Sequence, residues 1–257
     1  MHQLIKLGAA AALFGVVAGG AQAQSDAATE TRPIDARVVR VKLDGVVDLR
    51  IRQGSQAQLI LTGDPRLLGK TSTEQRGDSL SIDTETRGRG FNFSRGEGLR
   101  AELVLPNLIE VSSDSVGATT ISGFSGERLK INLDGAGAMS VSGDYRVFSA
   151  NLGGVGSLKV HGMNSDSIDL NLHGAGYVML SGRSKSLTAE LGGLGNLDAQ
   201  ACTVETVALE LSGLGNAAVT AQTSANLVLS GMGSVTVFGK PANRKVVLDG
   251  LGKVTWK

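Results

Sequence analysis

A Gly-x-Gly triplet returns every 18 to 20 residues through the second half of this chain. That spacing constrains the fold more than any other feature. The triplets are Gly135-Ala136-Gly137, Gly154-Val155-Gly156, Gly174-Ala175-Gly176, Gly193-Leu194-Gly195, Gly213-Leu214-Gly215, Gly231-Met232-Gly233 and Gly250-Leu251-Gly252, with Ser115-Val116-Gly117 as a degenerate eighth copy. Successive copies start 20, 19, 20, 19, 20, 18 and 19 residues apart. A fixed period of this length marks a repeat architecture, in which one unit buries its apolar face only by stacking on the next.

The flanks of each triplet say what the unit is. Two, four and six residues before the first glycine stand Leu133, Ile131 and Leu129, then Leu152, Ala150 and Phe148, then Leu172, Leu170 and Ile168, with the same pattern in later copies. The residues between them are mostly polar. Alternation of this kind belongs to a strand with one buried face. Beyond the triplet, apolar pairs such as Leu158/Val160, Val178/Leu180 and Val235/Val237 begin a second strand. The residue inside the triplet is small or apolar and is expected to share the inner face, so that the period of two breaks at the glycines. Glycine suits such a corner through positive φ and through close backbone approach. A polar connection such as Asn164-Ser165-Asp166-Ser167 then leads to the next copy.

The fold expected is all-β: a right-handed parallel β-helix of about 19–20 residues per coil, right-handed because parallel crossovers take that hand. Eight coils at strand spacing make a section on the order of 35 Å long. Composition agrees, with 36 glycines, 4 prolines and few aromatics in 257 residues. Hexapeptide left-handed helices are excluded by the period. Calcium-binding nonapeptide coils are excluded because Leu197 and Leu158 stand where an aspartate ligand is needed.

Residues 1–23 read as an export signal: Lys6, an apolar run from Leu7 to Ala21, and the small-x-small sequence Ala21-Gln22-Ala23. Residues 24–37 are expected to be a flexible mature N-terminus, 38–110 an N-terminal mixed or antiparallel β region with a mobile loop at 84–98, and 111–257 the solenoid coils. The location implied is exported: periplasm, outer cell surface or extracellular. A formal charge of +1 with scattered Lys and Arg excludes a concentrated nucleic-acid face. The lone Cys202 excludes an internal disulfide.

Four stretches in order, Val47-Asp48-Leu49-Arg50-Ile51-Arg52-Gln53-Gly54, Asp78-Ser79-Leu80-Ser81-Ile82, Leu103-Val104-Leu105-Pro106-Asn107-Leu108 and the glycine corners that follow, give the chain from Val38 to Lys257 a family likeness. It resembles the head GIN domain of auto-transporter adhesins. The resemblance implies a β-helical fold and an envelope or surface role. No membrane barrel follows the last coil, so no translocator is expected.

A β-helix can also be a polysaccharide lyase or hydrolase, which needs acids gathered on one face. The outward column before the corners reads Asp134, Gly153, His173, Gly192, Ser212, Ser230 and Asp249. Asp134 and His173 stand two coils apart, about 10 Å at strand spacing, too far to work together. Asn132, Asn151 and Asn171 are expected to form an amide ladder, followed by Glu190 over Glu210. His161 beside Lys159 reads as a surface histidine, and Cys202 as a free structural thiol in a connection. Arg87, Arg89, Arg95 and Arg100 make a basic loop. Tyr177 and Phe238 are outward aromatics too distant to form one sugar platform. No catalytic, cofactor or metal residues are assigned.

The function expected is therefore a non-enzymatic envelope or secreted scaffold, adhesin-like, acting through its long faces. A cell-surface glycan or envelope component is the expected class of partner. The last coil's edge, guarded by Lys253 and Lys257, offers a route to self-assembly.

Overall fold

The computed structural model describes residues 27–84 and 98–257. The segment 1–23 expected to direct export, and all but the ends of the loop expected at 84–98, lie outside the described residues. Of the described residues 73% are strand and 2% helix, and they form a β-solenoid of about 7 turns with a mixed antiparallel N-terminal part.

Each turn is built from one long bent strand rather than two strands and a loop. The repeating strands are β8 (Ala118–Leu133), β9 (Ala138–Leu152), β10 (Ser157–Leu172), β11 (Tyr177–Leu191), β12 (Asn196–Leu211) and β13 (Asn216–Leu229). All pair in parallel with their neighbours. The first part of each lies on one face. After a register shift, such as that between Val160 and Met163, the second part crosses to the other face. The expected polar connection Asn164 to Ser167 is thus strand. Its bend is a β-bulge, where glycine at positive φ serves at Gly123, Gly162, Gly182 and Gly239.

Among the triplet glycines, by contrast, only Gly117 has positive φ. What they require is space. A Cβ on Gly154, Gly174, Gly193, Gly213, Gly215 or Gly231 would lie closer than 3.0 Å to a carbonyl oxygen of the preceding turn. The corners close on one another through amides: Leu194 N–H donates to Gly174 O at 3.1 Å, and Leu214 N–H to Gly193 O at 3.1 Å. Glycine is needed here for coil-on-coil approach.

The alternation predicted for the first face is borne out. Leu129, Ile131, Leu133, Phe148, Leu152, Ile168, Leu170 and Leu172 are all buried, as are Leu158, Val160, Val178 and Leu180 of the opposite face. A third inward row, at the bulge corner, comprises Phe124, Tyr145, Met163, Ser165, Ser184, Cys202 and Val204. Tyr145 fills the width left at Gly126, where a Cβ would press its ring at 3.3 Å. Its hydroxyl donates to Leu108 O at 3.1 Å.

The N-terminal region begins the solenoid and then closes it. β2 (Arg40–Gln53) is itself a turn: its first half pairs in parallel with β7 (Glu110–Val116) and its second half with β8. The other edge of the first half carries β5 (Ser79–Thr84), itself paired antiparallel with β4 (Thr71–Arg76). The other edge of the second half carries β6 (Leu99–Leu105), then antiparallel β3 (Gln58–Gly63) and β1 (Ala28–Pro33). A short helix, α1 (Pro65–Leu68), follows β3, with Asp64 capping its start.

The strand β1 corrects the expectation of a flexible 24–37 segment. Arg32 holds it, donating to Thr71 O and Thr73 Oγ1, each at 2.8 Å, through a side chain 16% exposed. Both edges of β2 are thereby covered, with β1 and β4 as the outer strands, tied to each other by Arg32.

The far end is bare. β14 (Ser234–Phe238), β15 (Asn243–Leu248) and β16 (Lys253–Trp256) complete the last turn. β15 pairs only with β13, and β16 only with β14.

Candidate functional site

The residue inside each Gly-x-Gly points outward, which corrects the expectation that it joins the core. Val155 is 70% exposed, Leu194 59%, Leu214 52%, Met232 61% and Leu251 83%; Val116, at the degenerate copy, is also exposed. The period of two runs through the corner unbroken: in one turn Leu152, Gly156, Leu158 and Val160 are buried, while Gly153 and Val155 are exposed. The glycines occupy inward positions, and the side chain between them is left outside. Stacked at about 4.8 Å per turn, these side chains form an apolar ridge along the solenoid, with Ala136 and Ala175 as its low points.

The ridge has uncharged flanks through its middle turns. Gly153, His173, Gly192, Ser212 and Ser230 precede the triplets, and Ser157, Tyr177, Asn196, Asn216 and Ser234 follow them. The second flank is tied together by side chains. Asn216 Nδ2 donates to Asn196 Oδ1 at 3.2 Å, and Ser234 Oγ to Asn216 Oδ1 at 2.6 Å. The ridge is thus held on a stiff wall. Amides of the crest, at Ala175, Leu194, Leu214 and Met232, are bonded to the turn before, so covering them leaves no donor unpaired.

The bulge corner has the opposite character. Arg146 bridges Glu127 and Asp166, at 3.2 and 3.0 Å, and Lys185 meets Asp166 at 2.7 Å. The hydrogen bonds from Lys185 and Arg146 hold the Asp166 carboxyl below its ordinary range. An open depression of about 630 Å³ runs beside this ladder, lined by Arg146, Asp166, Arg183, Lys185 and Glu205 among others. Of these, Arg146, Asp166 and Lys185 are joined in one ion-paired ladder.

The structure places the residues singled out from the sequence as follows. Asp134 and His173 are exposed, and no hydrogen bond or ion pair joins them; Asp134 leans over Gly153 and His173 over Gly192. The amide ladder is partial: Asn151 Nδ2 donates to Asn132 Oδ1 at 2.9 Å, while Asn171 Oδ1 is buried without a partner. Glu190 and Glu210 stand directly side by side, both exposed. His161 and Lys159 are exposed. Tyr177 reaches Asp198 at 3.5 Å, Phe238 lies 5.6 Å from the Lys257 ammonium, and the two rings are not brought together. Arg100 is exposed on β6; Arg87, Arg89 and Arg95 lie outside the described residues. Cys202 is buried in β12, not in a connection, and burial pushes its thiol up to about 11. Among the described residues no group of three or more His, Cys, Asp or Glu side chains could hold a metal ion. No helix of the described residues is long and apolar enough to cross a membrane.

Fold and surface together define a β-solenoid with one capped end, one bare end and an apolar ridge between. The model of the family described as "Putative auto-transporter adhesin, head GIN domain" matches residues 39–241, and the chain belongs to that family. Its fold is similar to several solved structures. A "putative adhesin" from Parabacteroides distasonis shares 18% identity and a TM-score of 0.81, covering 91% of this chain and 98% of that one. A "putative lipid binding protein" from the same organism shares 20% identity with TM-score 0.78, over 90% and 97% of the two chains. A "putative adhesin" from Parabacteroides merdae shares 19% identity with TM-score 0.76, again over 90% and 97%. No match is found among curated proteins.

Proposed function

We propose that this protein is a non-enzymatic, exported binding head of the cell envelope that engages its target along the Gly-x-Gly ridge. The observation that carries this reading is the column of outward Val155, Leu194, Leu214 and Met232, each more than half exposed, on a strip without charges. Soluble proteins seldom display a contiguous apolar strip of this length unless something covers it. The regular, internally bonded wall beneath it loses little freedom when a partner docks, which favours affinity. Membership of the adhesin-head family supports a binding role at the cell surface. A ridge of aliphatic side chains suits an apolar partner, such as acyl chains or an apolar protein strip, better than a sugar ring. One structural relative is described as lipid binding, in keeping with that chemistry.

The test compares wild type with Leu194→Ser/Leu214→Ser/Met232→Ser on immobilised envelope lipids and on a glycan array. The triple variant is expected to keep its melting temperature and to lose at least ten-fold in binding, whereas Asp134→Ala and His173→Ala bind as wild type. If the Asp134 or His173 variant instead abolishes an activity on acidic polysaccharides, the enzymatic alternative replaces this reading.

A further inference from the structure

The bare end of the solenoid differs in charge from the rest of the molecule. Residues 240–257 contain Lys240, Arg244, Lys245, Lys253 and Lys257 against the single acid Asp249. The whole chain carries 25 basic and 24 acidic residues, so the remainder holds 20 basic against 23 acidic. A net +4 is thus gathered on the last turn of a body that is otherwise −3.

The same turn exposes its interior. Core rows continue into it in register, Leu227 to Val246, Leu229 to Leu248 and Val235 to Val254. On the outer side of β15 the inward positions have no strand paired over them, and Val246 is 37% and Leu248 53% exposed; beside them stand Val247, of an outward row, at 44%, and Leu251, the last residue of the ridge, at 83%. Trp256 is partly buried, with the Arg244 guanidinium 4.5 Å above its ring. Exposed aliphatic side chains, a tryptophan, four lysines and an arginine therefore share the last turn.

We propose that this end face docks the solenoid end-on against an anionic lipid surface. Each half of the surface matches one half of such a bilayer boundary: phosphate-bearing headgroups meet the cations, and the shallow acyl region receives Leu248, Leu251 and Trp256. Tryptophan with lysine and arginine is the composition that settles at a membrane–water interface. The unpaired edges of β15 and β16 face headgroup oxygens and interfacial water there, not hydrocarbon, so they keep hydrogen-bond partners.

Two other occupants fit less well. A second copy would bring the same five cations against these five, with Lys245 and Lys253 lying on the very edges that would have to pair. An acidic soluble polymer would satisfy the cations and leave Leu248 and Leu251 in water. Docked this way, the solenoid stands away from the surface with its ridge running outward. The ridge meets this end face only at Leu251, and its middle turns take no part in the docking.

The experiment is flotation of full-length protein with vesicles of phosphatidylcholine, or of phosphatidylcholine and phosphatidylglycerol at 3:1, in low salt and in 0.5 M salt. The variant Lys245→Glu/Lys253→Glu/Lys257→Glu, whose substitutions are all on the surface, is the control for anything the N-terminal apolar segment contributes. Wild type is expected to bind the anionic vesicles at least ten-fold more tightly than the neutral ones, and to lose that preference in high salt or in the triple variant. Leu248→Ser is expected to weaken binding about five-fold, and the Leu194/Leu214/Met232 ridge variant to bind normally. Equal binding of wild type and triple variant, polyglutamate competing as well as the anionic vesicles do, or a dimer by sedimentation that the triple variant makes tighter would each overturn the proposal.

Discussion

A single added methyl group distinguishes the glycines of this chain. At Gly215 it would be driven into the Gly195 carbonyl, whereas at Gly195 it would meet only Leu172 Cδ2 at 3.0 Å and Gly176 O at 3.3 Å. Gly215→Ala should therefore cost about 2–3 kcal/mol, as an overpacked site with no room to relax, and Gly195→Ala about 1 or less, because a leucine methyl can yield. Urea unfolding of the two variants checks the order, and equal losses would contradict the coil-on-coil contact. Cys202 is the other residue with a sharp expectation. Its folded value, raised from 9.0 to about 11 by burial, means the folded state keeps a proton that the unfolded chain releases. Stability is intact below pH 9 and falls as pH rises towards 11. At pH 8 the native thiol should resist a disulfide reagent and react only after unfolding. The outward direction of Val155 and Leu194 was legible in the sequence by parity alone. Counting twos from Leu152 lands on Gly154, Gly156, Leu158 and Val160 and skips Val155. Treating an apolar residue as inward by type hid the ridge.

At the level of the turn, the inner rows were readable because their alternation is strict. The bulge corner was not. There the period shifts by one at Val160 to Met163, and a row mixing Tyr145, Ser165, Ser184 and Cys202 looks like a polar loop until its members are found buried. Ser165 is buried because its hydroxyl donates to Tyr145 O at 2.7 Å. The first turn was hidden for another reason. β2 belongs to the stack, but residues 54–109 intervene before its neighbour β7, so its period is masked by the capping strands. Turns should differ in stability according to their cover. Leu227→Ala, in a fully buried position, should cost roughly 2–5 kcal/mol, and Leu248→Ala, one turn on and half exposed, less than about 1. Amide exchange should be slowest in β10–β12 and fastest in β15 and β16. Uniform protection to the C-terminal strand would mean the bare end is closed by something.

Over the whole molecule, three surfaces have three characters: a charged bulge corner whose ions pair among themselves, an uncharged apolar ridge, and a basic end with its core showing. The family likeness gave the overall class from the sequence. The functional surfaces depend on which of two alternating positions faces water and on which end lacks a further turn, and both are properties of the stack rather than of any motif. That the ridge is one continuous outward column is the claim on which the binding reading rests. Pulsed electron–electron resonance measures it directly, with spin labels on cysteines placed at Val155 and Leu251, and at Val116 and Leu251, in a Cys202→Ala background. Five and seven turns of about 4.8 Å predict narrow distances near 24 Å and 34 Å, about 10 Å apart. Broad distributions, or two pairs with the same separation, would show that the triplets do not stack in one column.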